Sequence, residues 1–142
     1  MNVSRSLTLA ATAALSMTTL AVAPASAGGP PVPGTVGVDR LASLDAEGVT
    51  VHGTYACTVP DGTVASRPGT IGVELVSRSG ASTSGTVAVA CDGTTRPWTI
   101  PAPSGSLRPG QLWLHGYLEV PDTAGSTPWN LFDAAVTVVG RR

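Results

Sequence analysis

The residues with the most chemical reach in this chain are two histidines, His52 and His115, two cysteines, Cys57 and Cys91, and three tryptophans, Trp98, Trp113 and Trp129. A histidine beside an acid and a hydroxyl would be the kernel of a hydrolase. Neither His52 nor His115 stands near a G-x-S-x-G turn or a comparable nucleophile context. A carboxylate pair for glycoside cleavage can be drawn from Asp61, Glu74, Asp92, Glu119, Asp122 and Asp133, and no pair is singled out by its neighbours. Asp61 and Asp92 each precede a glycine and read as turn residues. No catalytic residue is assigned. The cysteines and histidines are too few for a metal site, and neither an Asp-rich calcium loop nor a phosphate-cradling glycine loop occurs, so no metal and no cofactor are expected.

One stretch departs from this plainness. Gln111, Trp113, His115, Tyr117 and Glu119 alternate with the apolar row Leu112, Leu114 and Leu118. In an extended strand successive side chains point to opposite faces, so Trp113, His115 and Tyr117 would stand in file on one face. These three are the candidate ligand-binding residues. Aromatic rings beside hydrogen-bonding groups suit a sugar ring, a cell-wall glycan or a small apolar molecule. Trp129 would extend the file, but it lies too close to the loop from Pro121 to Pro128 for its direction to be read. The competing reading covers this strand with loops on both faces. The balance expected from sequence buries part of Trp113 and leaves His115 and Tyr117 exposed.

Such a file needs a sheet beneath it, and the rest of the chain alternates accordingly. Val49, Val51, Tyr55 and Cys57 share one parity, as do Ile71, Val73 and Leu75, then Val87, Val89 and Cys91. Trp98 with Ile100, and Phe132 with Ala134, Val136 and Val138, continue the series. Val36 and Val38 open it, and Leu41 to Leu44 resume it after a break in parity of the kind a bulge or strand switch produces. Turn signals at Asp61-Gly62, Ser79-Gly80, Asp92-Gly93 and Pro109-Gly110 separate the runs. The pattern predicts an all-β domain, an immunoglobulin-like two-sheet sandwich of about seven strands, with a small β-barrel as the alternative.

The two cysteines end inward-facing rows and lie 34 residues apart, too far for a C-x-x-C redox pair. A single structural disulfide, Cys57–Cys91, is expected. Trp98 follows the second cysteine, whereas antibody-type domains place the buried tryptophan between the two.

Met1–Ala27 has the form of a secretory signal: Arg5 near the start, an apolar run from Leu7 to Ala23, and Ala25-Ser26-Ala27 before the expected cut. Residues 28–34 are rich in Pro and Gly and read as a tether, leaving 35–142 as a single domain. The product is expected to be secreted, without a stable membrane anchor. The chain contains no lysine, and its formal net charge of -1 with scattered arginines offers no basic stripe for nucleic acid. A monomer is expected.

The segments Val49-Thr50-Val51-His52-Gly53-Thr54-Tyr55-Ala56-Cys57, Cys91-Asp92-Gly93 and Trp98, with the Pro109-Gly110 turn, resemble a family of small secreted actinobacterial β-domain proteins of unknown function. That family pairs a V-x-V-x-G-x-Y-x-C strand with a later C-D-G…W segment. The resemblance spans most of Val36 to Val139 and implies a disulfide-bonded β-domain, with no catalytic residues to carry over. Together these readings predict a secreted, non-catalytic binding or interaction module whose partner is a glycan, a small molecule or a protein. A small secreted hydrolase, or an inhibitor presenting Val59–Gly69 or Ser79–Gly85, is the alternative.

Overall fold

The computed structural model describes residues 33–59 and 67–141. The signal-like segment, most of the tether and the Asp61-Gly62 turn lie outside the described residues. Eight strands are present: β1 (Gly34–Val38), β2 (Leu41–Leu44), β3 (Val49–Cys57), β4 (Arg67–Ser77), β5 (Ser82–Cys91), β6 (Arg96–Ala102), β7 (Gly110–Glu119) and β8 (Trp129–Gly140). The all-β reading holds. Pro33 and Gly34, read from sequence as the end of the tether, already belong to the fold. Pro33 is buried and its carbonyl accepts from the Thr58 amide at 2.9 Å, while Gly34 opens β1 opposite Cys57.

The hydrogen bonds do not divide the strands into two separate sheets. β1 pairs antiparallel with β3, and β2 runs parallel to β8 along its length while its last two residues, Ser43 and Leu44, pair with the same edge of β3. This is the strand switch signalled by the parity break. It joins what would otherwise be two wings into one curled sheet, ordered β6–β3–(β1, β2)–β8–β7–β4–β5. The alternation cannot foresee this junction, because it shows which residues point inward and not which strands share a ladder.

The inward rows are those that the alternation picks out. Val49, Val51, Ile71, Leu75, Ile100, Leu114, Leu118, Val120 and Val136 are fully buried in one cluster between the wings. The Cys57–Cys91 disulfide clamps the end of β3 to the end of β5, two strands that share no ladder. Tyr55 adds a second clamp there, its hydroxyl donating to the Ala90 carbonyl and accepting from the Ala90 amide, both at 3.2 Å. Trp98 is buried with its indole N–H donating to the carbonyls of Gly37 and Thr54, so the one polar atom it carries inward is satisfied.

Three aromatic rings lie flat over a glycine directly opposite in register: Trp98 over Gly53, Phe132 over Gly116 and Tyr117 over Gly72. The first two pairs face the core and the third faces outward. A β-carbon at any of these glycines would occupy the space of the ring. The missing side chain is therefore what lets each ring lie down against the sheet.

Candidate binding face

Strand β7 is central in its wing, hydrogen-bonded to β4 on one side and β8 on the other, and its outward residues meet theirs in ordered rows. Trp113 lies between Val76 and Ala135, His115 between Glu74 and Asp133, Tyr117 between Gly72 and Leu131, and Glu119 between Thr70 and Trp129. All three sequence-predicted residues are thus brought onto one face.

Among the described residues no loop covers Trp113, contrary to the burial expected there. Trp113 is 58% exposed and His115 is also exposed, whereas Tyr117 is half-buried. For Trp113 and Tyr117 the order of exposure expected from sequence is reversed, while His115 is exposed as expected. The cause lies on the neighbouring strand. Tyr117 sinks because Gly72 leaves room beneath it, while Trp113 stands between Val76 and Ala135, where each neighbour carries a side chain.

Trp129, whose direction the sequence left open, points the same way and is 60% exposed. Its register opposite Glu119 decides this. Leu131, opposite Tyr117, also stands outward, as do Leu41 and Val139, whose chain neighbours Ala42 and Val138 are buried. All five of the large exposed hydrophobic side chains among the described residues therefore lie on one outer side of the sheet, Trp113, Trp129, Leu131 and Val139 on β7 and β8 and Leu41 on the adjoining β2. Scattered apolar residues on a surface need no explanation, but their confinement to one face does.

A polar belt crosses this face at mid-height. Asp133, His115, Glu74 and Ser84 follow one another on β8, β7, β4 and β5. His115 Nδ1–H donates to Asp133 Oδ1 at 2.6 Å, which holds the ring's orientation and leaves Nε2 free. Above the belt lie Trp113, Ala135 and Val139, and below it Tyr117, Leu131 and Trp129. The surface dips into a groove of about 420 Å³ bounded by Glu74, Ser84, Thr86, His115, Tyr117 and Leu131. A second hollow of about 350 Å³ follows between Tyr117, Glu119, Thr127 and Trp129. Both share Tyr117 and Leu131 as walls, so they lie side by side as the two halves of a shallow trough.

The residues weighed for hydrolysis are dispersed. His52 is on β3, in the other wing, where its Nδ1 lies 3.1 Å from the Thr99 hydroxyl. Beside His115 the nearest hydroxyl in its own row is Ser84, two strands away, which at ~4.8 Å per strand is beyond proton-transfer reach. Asp92 bonds Arg96 at 2.7 Å and the Thr94 amide at 3.0 Å, as a turn residue does. The Ser79–Gly85 segment proposed for an inhibitory loop is a tight hairpin turn, Gly80 at φ 87°, leading straight into β5. Gly69 of the other segment is inside β4, and residues 60–66 lie outside the described residues. Among the described residues no group of three or more His, Cys, Asp or Glu side chains could hold a metal ion, and no helix is long and apolar enough to cross a membrane.

No protein-family model and no curated protein matches this chain. What the fold and face define is a class: an all-β, disulfide-clamped domain with one aromatic-lined outer face.

Proposed function

We propose that this protein is a secreted, non-catalytic binding module whose β4–β7–β8 face takes a glycan or a flat apolar small molecule. The observation that carries this reading is the gathering of four of the five large exposed hydrophobics, Trp113, Trp129, Leu131 and Val139, on β7 and β8 of that face, on both sides of the His115–Asp133 pair. Trp113, Tyr117 and Trp129 supply flat apolar contact with few rotors to freeze. The belt of Asp133, His115, Glu74 and Ser84 supplies the acceptors and donors that a hydroxyl-rich ring requires.

Export is supported by the disulfide, a bond that persists in oxidising compartments, and by the signal-like sequence of Met1–Ala27. Membership in the secreted actinobacterial β-domain family rests on the segments quoted above, now seen as β3, the β5–β6 turn and β6. The immunoglobulin-like reading of the architecture is retained in the same spirit, with β3 and β6 as one wing and β8, β7, β4 and β5 as the other. The inter-wing disulfide and the buried Trp98 support it.

The test is retention on insoluble polysaccharides and on an apolar resin, comparing the wild type with Trp113→Ala, Tyr117→Ala and Trp129→Ala. Loss of retention in all three variants with the fold intact is expected. Equal retention by every variant would remove the face from consideration. Intact mass of the exported protein is expected to start at Gly28, and a retained Met1 would reject the signal.

A further inference from the structure

The two halves of the trough carry acids, Glu74 in one and Glu119 in the other, and no arginine. A further hollow of about 310 Å³, outside the trough, reverses this. Arg78 and Arg108 line it together with Ser77, Ser79, Ser106 and Gln111, and no Asp or Glu does. Among the described residues neither of these guanidinium groups has an ion-pair partner, whereas Arg96 at the start of β6 is paired with Asp92 at 2.7 Å.

Local sequence builds both walls. One is the β4–β5 turn, closed by the Gly80 amide donating to the Ser77 carbonyl at 2.9 Å, with the Ser77 and Ser79 hydroxyls 2.9 Å apart across it. The other is the loop between β6 and β7. There the Leu107 amide donates to the Ser104 carbonyl at 3.0 Å and the Leu107 side chain is buried. Leu107 pins the loop to the core while Ser106 and Arg108, on either side of it, stay exposed.

The hollow adjoins the aromatic face. Gln111, one of its walls, heads the outward file that continues through Trp113, His115 and Tyr117. Arg78 stands two residues beyond Val76, the register partner of Trp113. At ~3.4 Å per residue, Gln111 is ~7 Å from Trp113 and ~20 Å from Tyr117 along β7.

We propose that this hollow binds the carboxylate of a uronic acid, in a glycan whose neutral rings lie along Trp113 and Tyr117. The inference rests on the binding reading above and narrows its ligand to an acidic glycan of low charge density. A guanidinium meets a planar carboxylate through paired N–H donors, and the serine hydroxyls and the Gln111 amide can donate to the remaining lone pairs. A bound anion also relieves the repulsion between two cations that line one hollow without an acid. The rest of the face sets the charge density. Glu74, Asp133 and Glu119 stand along it, so a polymer with an anion on every unit, such as a polysulfate or a nucleic acid, would set its further charges against carboxylates. One uronate followed by neutral rings meets no such opposition.

The test is isothermal titration with three probes. These are a xylo-oligosaccharide bearing one glucuronic acid, the same oligosaccharide with that carboxyl reduced to the alcohol, and dextran sulfate. The variants are Arg78→Gln/Arg108→Gln, Trp113→Ala and Arg96→Gln. All four side chains are exposed, and the circular dichroism spectrum is expected to stay unchanged. The wild type is expected to bind the uronate form roughly tenfold more tightly than the reduced form, a preference that shrinks as salt is raised. The double arginine variant should lose that preference and keep wild-type affinity for the reduced form, because neither arginine lines the trough. Trp113→Ala should weaken both forms, and Arg96→Gln neither.

A wild type that does not distinguish the two forms, including one that binds neither, overturns the proposal. So does a preference that survives in Arg78→Gln/Arg108→Gln or is lost equally in Arg96→Gln. Tighter, arginine-dependent binding of dextran sulfate overturns it by removing the low charge density. Failure of the hollow and failure of the binding face are distinguishable. Trp113-dependent affinity for the reduced form with no uronate preference leaves the face standing without the hollow. An arginine-dependent preference untouched by Trp113→Ala overturns the shared site, because the hollow then acts without the face.

Discussion

The ring of Tyr117 lies flat on Gly72, its register partner on β4, so that the most deeply set residue of the binding trough is seated by an absence on the next strand. Gly72→Ala is expected to lift the ring from the sheet, lowering the melting temperature and weakening ligand retention. In a Tyr117→Ala background the same change should be neutral or slightly stabilising, since alanine suits a strand at least as well as glycine once the space is empty. A double-mutant cycle measured by thermal denaturation reads this coupling, expected at roughly 0.5–3 kcal/mol for residues in contact. Additive effects would mean that the ring does not depend on Gly72.

Trp113 and Trp98 should answer the same substitution in opposite ways. Trp113 is largely exposed, and Trp113→Ala removes little buried volume, so its cost should stay within ~0.5 kcal/mol, as for most surface positions. Trp98 is buried with its N–H satisfied twice, and Trp98→Ala should cost about 3–5 kcal/mol, enough to unfold a marginal domain. Chemical denaturation of the two variants side by side is the measurement.

The disulfide clamps the ends of β3 and β5 across a sequence separation of 34. On the chain-entropy estimate, opening a loop of that length should cost about 3–4 kcal/mol. At ~4–8 °C per kcal/mol this predicts a fall in melting temperature of more than about ten degrees in Cys57→Ala/Cys91→Ala. The unreduced, denatured wild type should yield no free thiol, and two equivalents of thiol per chain would contradict the bridge.

The turn that follows β5 sets up a pH-dependent contact. The Arg96 guanidinium, followed by the Thr94 amide, holds the Asp92 carboxyl down to about 2. Because the folded value lies below the unfolded one of ~3.9, the stabilisation is complete above that value and disappears as the pH falls through about 2. Arg96→Ala should raise the Asp92 titration midpoint toward the ordinary carboxylate range in an NMR titration. The stability gap between that variant and the wild type should close in acid. The exposed setting keeps that gap small at neutral pH.

What the sequence determined by itself is parity. A strand has a period of two, so burial of Val49, Ile71, Leu114 or Val136 could be read from the neighbouring residues alone, and with it the inward position of both cysteines. The file of Trp113, His115 and Tyr117 was legible for the same reason. Parity says which face a side chain takes, not what lies beyond that face. Whether Trp129 joins it and how far Tyr117 sinks are settled by the register with Glu119 and by Gly72, neighbours only through the ladders. The union of the two wings through β2 arises in the same way. Local alternation records the balance of apolar and polar contacts within one strand. Register between strands is a non-local hydrogen-bonding choice, and only the assembled sheet makes it.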